Sequence, residues 1–492
     1  MAQTRQLRTI DTVENEAQRV FKLQREAYLR QPYPSYEERL HHLRTIDRVL
    51  VDNRKEIAAA ISADFGHRAA EESMIAELFT SVDGLRDAAK HLKKWMAPER
   101  RHVSALFATG HNRVVPMPKG VVGIVSPWNY PLTLAASDAL PALLAGNAVV
   151  LKPDSQTVLT ALWAVDLLQQ AGLPEGLVQV VVGDGPVVGA ALVDHADYVC
   201  FTGSTTTGRL VAARAGERLV GASLGLGGKN PFYVADDAHV ELAAECAVRS
   251  VIAGSGQLCM STERLLVHRD VHDEFVPAFR RRLGAVRLGS GLDYRADMGS
   301  LTSQAQLDTV RRHVADAVER GATVLAGGRA RPDVGPLFHE PTVLTDVPRS
   351  AVCFAQETFG PVVSVHVVGS DDEAVELAND TDYGLNASVW TRDTARGHRI
   401  ASRIAAGTVS VNETYTATWG SVAAPMGGMK QSGIGRRHGR EGLTRFTQVQ
   451  TVVVQHGTRY GIGLGRVVDL PGATWTKGFT LALRAMKAAR LP

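Results

Sequence analysis

Val121-Val122-Gly123-Ile124-Val125 is an unbroken apolar run of strand length, and it ends in Ser126-Pro127-Trp128-Asn129. Residues 131–144 then carry a helical pattern with Pro131 in the first turn. Ala148-Val149-Val150-Leu151 predicts the next strand and 157–170 the next helix, which Gly172-Leu173-Pro174 closes. Further strands are predicted at 178–182 and 198–201, with a short helix at 187–193 between them. Strands separated by helices imply a parallel sheet covered on both faces. Ligands of such sheets bind beyond the carboxyl ends of the strands. Trp128-Asn129, Lys152-Pro153, Gly183-Asp184-Gly185 and Gly203-Ser204 all fall at those ends.

Upstream of this block, residues 1–35 read as polar and irregular. From Ser35 the pattern is helical, with Leu40, Leu43, Ile46, Leu50, Ile57 and Ile61 at helical spacing and Gly66 as the cap. A further helical region runs to about Trp95. The basic residues Lys93, Lys94, Arg100 and Arg101 read as solvated helix faces. Downstream, a second α/β block runs from about Lys229 to Asn412, with strands at 264–268, 323–325 and 362–368. Residues 447–454 form an alternating strand outside both blocks, suited to pairing with another subunit. The last stretch is basic and amphipathic, with Trp475, Phe479, Leu483 and Met486 on one helical face. It is expected to pack on the parent protein, with membrane-surface binding as a minor alternative.

A chain of 492 residues is too long for one core, and two to four domains are expected. Lys and Arg number 54 against 51 Asp and Glu, so charge makes no case for nucleic acid. No apolar run reaches membrane-span length, and Met-Ala-Gln-Thr-Arg lacks a secretory apolar core. Cys200, Cys246, Cys259 and Cys353 are scattered, with neither disulfide-framework nor zinc spacing, which points to a reducing, cytoplasmic setting and no metal. Cys200 and Cys246 read as core residues.

Cys259 stands apart. It lies in Gly254-Ser255-Gly256-Gln257-Leu258-Cys259-Met260-Ser261, a glycine-flanked turn with Gln two residues before it. A free thiol of pKa roughly 8.5 is only a few per cent ionised at neutral pH, so a nucleophilic cysteine needs a partner that stabilises the thiolate or takes its proton. An inert buried cysteine is the competing reading. No G-x-G-x-x-G dinucleotide fingerprint is present. Gly203-Ser204-Thr205-Thr206-Thr207-Gly208 precedes Arg209-Leu210 rather than Lys-Ser/Thr, which rejects a triphosphate loop. Its place at a helix start still suits a pyrophosphate.

Seven motifs follow one another in order: Pro127-Trp128-Asn129-Tyr130-Pro131, Gly146-Asn147 to Lys152-Pro153, Phe201-Thr202-Gly203-Ser204, Leu226-Gly227-Gly228-Lys229-Asn230-Pro231, Gly256-Gln257-Leu258-Cys259, Glu357-Thr358-Phe359-Gly360-Pro361 and Ser432-Gly433-Ile434-Gly435-Arg436. Over about residues 35–455 the chain resembles the aldehyde dehydrogenase superfamily. Within it, Leu151-Lys152-Pro153-Asp154-Ser155-Gln156-Thr157 and Trp419-Gly420-Ser421 through Met429 are most similar to the actinobacterial succinate-semialdehyde dehydrogenase branch. The resemblance implies two doubly wound parallel α/β domains plus a β-strand oligomerisation arm. Residues 1–105 and 119–226 would bind the dinucleotide, 227–415 would hold the nucleophile, 106–118 and 440–460 would form the arm, and 470–492 the tail. A homodimer or homotetramer is implied. So is Cys259 as the nucleophile, forming a thiohemiacetal and then a thioester. Asn129 and the Cys259 N–H would hold the oxyanion, donors worth roughly 3–4 kcal/mol each. Lys152 would reach the adenosine ribose, Ser204 the pyrophosphate, Glu357 the nicotinamide ribose and Phe359 the nicotinamide side. Ser126, Trp128, Ser155, Gly185, Gly203 and Thr207 complete the implied cofactor site.

Three departures qualify the resemblance. The family's usual Glu, the base for thiol activation and deacylation, is Gly225 here, and glycine cannot move a proton. Losing such a base costs about 10²–10⁴-fold. Four readings are open: an introduced substitution that traps a covalent intermediate, a replacement base in Glu357 or Glu413, transfer of the acyl group to another nucleophile, or a catalytically retired site. Second, Ser155 replaces the Glu of NAD-selective members, which favours NADP over NAD. Third, the arginines that hold a distal carboxylate in many succinate-semialdehyde enzymes are matched by Ser137 and Ala253. Ser421 would have to serve instead, and Glu413 would favour an amino-aldehyde or neutral substrate.

Overall fold

A computed structural model describes residues 10–103, 109–457 and 472–488. The chain falls into two compact units, residues 1–95 with 118–448, and residues 96–117 with 449–492.

The larger unit contains two wide sheets. The first orders its strands Gly433–Ile434, Gly221–Gly225, Tyr198–Thr202, Val121–Val125, Ala148–Lys152, Val178–Val180. All neighbours run parallel except Gly433–Ile434, which pairs antiparallel with the Gly221–Gly225 strand. The second orders Thr323–Ala326, Thr342–Thr345, Val362–Val368, Thr262–His268, Asn230–Val234, Asn386–Trp390, Thr408–Val411, again parallel apart from its first pair. Its central strands are covered on both faces, and every residue of Thr262–His268 is buried, Glu263 and Arg264 included. Phe232, Leu265 and Val363 enter one core cluster, while their neighbours Tyr233 and Leu266 enter the opposite one.

The irregular start expected for residues 1–35 is corrected: Ile10–Arg30 is a helix. Its polar residues hid a narrow stripe of Ala17, Val20 and Phe21, which is buried against Val121, Val150 and Val199 of the first sheet. Gln24 on the same face donates Nε2 to the Val149 carbonyl at 2.8 Å. The 178–182 strand is shorter than expected, ending at Val180.

In the smaller unit, Glu99–Arg101, Gly110–Pro118 and Thr447–Gln455 make a three-stranded sheet. Arg100 and Arg101 thus lie on a strand, not on the helix face expected of them. The 447–455 strand pairs first within its own chain, with Val449 and Val453 exposed. Gly472–Ala488 is the expected helix, but Leu481 and Leu483 are exposed rather than packed. The Trp475 side chain and residues 489–492 lie outside the described residues, as do 1–9, 104–108 and 458–471. No described helix is long and apolar enough to cross a membrane.

Candidate active site

The carboxyl ends of the first sheet collect most of the implied cofactor residues. Val125 and Lys152 are register partners on adjacent strands, and the Ser126 N–H donates to the Lys152 carbonyl at 3.0 Å. The buried Lys152 ammonium donates to the Pro153 carbonyl at 2.9 Å. Burial lowers its pKa, with Asp154 and Asp184 acting the other way. Ser155 and Gly185 are exposed at the same ends of their neighbouring strands. Gly203 donates its N–H to the Gly225 carbonyl, so the Gly203–Ser204 loop and position 225 share one edge. Ser204 caps the helix Thr205–Glu217 by accepting from the Thr207 N–H, leaving Thr205 and Thr206 N–H groups at a positive helix end.

The nucleophile candidate comes from the other sheet. Residues 254–256 all adopt positive φ, so the chain reverses sharply before the Leu258–Ser261 turn. Gly256 is required there: a Cβ would stand 2.1 Å from the Gly360 carbonyl oxygen. Gln257, fully buried, ties this loop down by donating to the Gly254 carbonyl and accepting from the Thr302 N–H. Asn230 donates Nδ2 to the carbonyls of Cys259 and Ser261.

Asn129 reaches the loop that carries Cys259. One Nδ2 hydrogen of Asn129 goes to the Gln257 carbonyl at 2.9 Å, and an amide NH₂ carries a second. Cys259 is half-buried beside Tyr130, Leu258, Met260 and Trp419. Its thiol is pushed up to about 12, by burial first and then by Glu357, with Arg437 and local backbone N–H groups opposing. The resting sulfur is therefore a thiol at neutral pH.

Glu357 accepts from the Gly228 N–H at 2.9 Å. Burial, with Glu263 adding, pushes it up to about 8. Glu263 itself accepts from the Thr358 and Phe359 N–H groups and pairs with Lys229. These bonds seat Phe359 edge-on to Trp128, centroids 5.4 Å apart. Glu413 points elsewhere: its carboxylate accepts from the Thr414 N–H and the Thr416 hydroxyl, and its charge acts on Cys246. Of the two substitute bases read from the sequence, only Glu357 exerts a main electrostatic effect on Cys259.

Two clusters had almost no local signal in the sequence. Arg68, buried over the Tyr130 ring, donates to the Asn129 carbonyl at 2.5 Å and pairs with Glu77 at 3.3 Å. Glu77 accepts the Leu132 and Thr133 N–H groups and is pushed up to about 7 by burial. Together they hold the loop that presents Asn129. The second cluster lies at Gly225. Arg437 clasps buried Asp138 through Nε and Nη2, at 2.9 and 2.8 Å, and donates to Thr202. Arg445 pairs with the same carboxylate and donates to Ser223. A Cβ on Gly225 would meet Arg437 Nη1 at 2.7 Å. The adjacent Arg436-Arg437 pair in a glycine-rich segment was the one hint.

Comparison with known proteins gives the family. The sequence profile described as the aldehyde dehydrogenase family matches residues 5–452. A Mycobacterium bovis protein provisionally named succinate-semialdehyde dehydrogenase [NADP(+)] 2 is 48% identical over 450 residues, 91% of this chain and 85% of that one. A betaine aldehyde dehydrogenase from Brucella anthropi is 37% identical over 425 residues, covering 85% of each. Among solved structures, betaine aldehyde dehydrogenase from Staphylococcus aureus in complex with NAD+ superposes with a TM-score of 0.85 at 32% identity, over 90% of this chain and 88% of that one. A mutant aldehyde dehydrogenase from Bacillus cereus gives 0.85 at 34%, over 90% and 89%. The profile match spans nearly the whole chain, and the fold agrees at the level of whole chains: this protein belongs to the aldehyde dehydrogenase family.

Proposed function

We propose that the chain oxidises an aldehyde to its acid, with NADP preferred over NAD, through a thioester on Cys259 whose release is slow because residue 225 is glycine. The observation that carries this reading is the meeting of Asn129 with the Cys259 loop, at the carboxyl edge of a sheet whose loops suit a dinucleotide. Residues 1–105 with 119–226 act as the dinucleotide-binding part and 227–415 as the catalytic part. The arm strand supports a homodimer or homotetramer, and four unpaired thiols support a cytoplasmic setting.

The site fits the cofactor's chemistry. The Thr205 and Thr206 amides suit a pyrophosphate, Lys152 and Ser155 an adenosine ribose bearing a 2′-phosphate, and Trp128 with Phe359 a nicotinamide face. When bound, the dinucleotide supplies the hydride acceptor. The protein's own part begins with Cys259, which attacks the carbonyl carbon. The second Asn129 amide hydrogen and the Cys259 N–H receive the oxyanion. The thiohemiacetal carbon would then lose its hydride as the C–O⁻ collapses to a carbonyl, which leaves the thioester. Water must then be deprotonated to release the acid. Glu357 is the candidate base, and burial holds it protonated below about pH 8.

The test is a burst experiment with aldehyde and NADP. One equivalent of reduced cofactor per chain should form quickly and turnover should then stall. Because Glu357 acts only when deprotonated, the slow phase should rise with pH to a plateau above about 8, and Glu357→Gln should flatten that rise. Steady turnover without a burst would refute slow release.

Cofactor choice is tested separately. Ser155→Glu should weaken NADP binding by roughly 10- to 100-fold through repulsion of the 2′-phosphate, and should leave NAD binding little changed. Fluorescence titration of both cofactors checks this.

The mycobacterial relatives' names support succinate semialdehyde as substrate. A second reading comes from the cavity at Ser137. Leu85, Ala88, Leu140 and Asp87 line it and no arginine does, and it shares Leu134, Trp419 and Met426 with the adjoining cavity that holds Cys259 and Arg437. That lining favours an uncharged aldehyde, and comparing kcat/KM for succinate semialdehyde and an aliphatic aldehyde of equal length ranks the two.

A further inference from the structure

Position 225 is empty of side chain, but the space is not empty. Arg437 Nη1 stands 2.7 Å from where a residue-225 Cβ would lie, closer than real Cβ contacts come. The guanidinium is anchored from behind by Asp138 and Thr202, and no described residue accepts a hydrogen bond from Nη1. Gly225, Cys259, Arg437, Arg445, Thr202 and Ser223 line one cavity of about 30 Å³, room for a water.

The charges around this cavity do not cancel. Arg437 and Arg445 share the single carboxylate of Asp138, which leaves one positive charge over. His438 beside them is pushed down to about 4, by burial first and then Arg437, so it is neutral at pH 7. Cys200 on the adjoining strand is pushed up by burial and stays a thiol. Glu263 is balanced by Lys229. Glu357, the nearest carboxylate to the sulfur by its effect, is held protonated below about pH 8. A cation in this cavity favours the thiolate of Cys259 against burial and Glu357, which together still hold the thiol up at about 12.

We propose that Arg437, seated where a residue-225 side chain would stand, favours the Cys259 thiolate by charge and so offsets part of the penalty that burial sets on it, where a carboxylate at 225 would instead take the proton. The proton leaves through the cavity water to solvent, and no acceptor side chain is needed for this half of the reaction. Arg437 is thus a positioning charge for the nucleophile. It cannot perform the second half, since a guanidinium takes no proton from water. This division explains how acylation can outrun release. The inference rests on Cys259 being the nucleophile.

The test reads the thiol alone, with no aldehyde or cofactor. Iodoacetamide alkylates the thiolate: a sulfur–carbon bond forms, the carbon–iodine bond breaks and iodide leaves. Rates at Cys259 are followed from about pH 7 to 10 by mass spectrometry, with the other three thiols as internal references. Arg437→Gln should slow Cys259 by roughly tenfold or more at every pH of the series. Arg437→Lys, which keeps the charge, should restore most of the rate. Arg445→Gln removes the excess charge without touching Arg437 and should also slow Cys259, which keeps the test open should Arg437→Gln fail to fold. Profiles in folded Gln variants that match the parent chain would overturn the role of Arg437. A parent Cys259 that resists alkylation throughout, while references react, would overturn the nucleophile reading itself.

Discussion

Gly225→Glu should convert a stalling protein into a turning-over one, raising the steady-state rate by about 10²-fold and abolishing the burst. General-base catalysis spans about 10²–10⁴-fold, and the lower end is expected here. The reason is Arg437. Residue 225 ends its strand in register with Thr202 and Gly433, so its Cβ direction is set by the sheet. A new Cβ would meet Nη1 at 2.7 Å, and the glutamate carboxylate would enter the guanidinium's reach. Nη1 is the far end of a long side chain and can give way, although the clasp on Asp138 limits how far. The resulting ion pair lowers the carboxylate's pKa and makes it a poorer base. Stopped-flow and steady-state kinetics on the same preparation check this. An unchanged steady-state rate with a folded variant would remove the missing base as the cause of slow release.

Cys259→Ala should erase the burst entirely, lowering aldehyde oxidation by at least about 10⁴-fold. Removal of a nucleophile leaves only binding and oxyanion contacts, which elsewhere preserve a small residual rate. Cofactor binding should survive, because Trp128, Phe359 and the helix-205 amides are positioned by Glu263, Ser204 and their own backbones rather than by the sulfur. Quenching of tryptophan fluorescence by NADP reports that retention. Loss of both burst and quenching would mean the variant had collapsed the site, and a retained burst would assign the thioester to another residue.

The Arg68–Glu77 pair and the Arg437–Asp138–Arg445 cluster share a design. Each anchors a backbone segment near the sulfur with buried charge, and each spends its carboxylate on fixed donors. Glu77 accepts two amides at the start of the helix Thr133–Leu144, while Asp138 on that same helix receives both arginines. One helix therefore couples the loop carrying Asn129 to the environment of Cys259. Breaking a buried pair by removing one partner is costly, which is why charge-preserving and hydrogen-bonding substitutions are the informative ones.

Much of this protein was legible before any coordinates. The strand runs at 121–125, 148–152 and 198–202 announce themselves because strands buried on both faces must be apolar throughout. Their polar terminations mark the candidate ligand edge, and the glycine-flanked Cys259 marks the candidate reactive turn. What failed was equally local in origin. The helix Ile10–Arg30 hides its apolar stripe among polar residues, and on the Gly472–Ala488 helix Leu483 is exposed while Phe479 and Met486 are half-buried. The charge at the nucleophile was out of reach altogether. Arg437 and Asp138 lie 299 residues apart, and Gly225 belongs to a third segment. Periodicity records how each segment divides itself between water and core, so sequence by itself determined the sheets, their ligand edge and the candidate sulfur. Which carboxylate faces that sulfur, and which cation fills the place of a missing side chain, depends on distances through space between segments, and only the tertiary structure decided it.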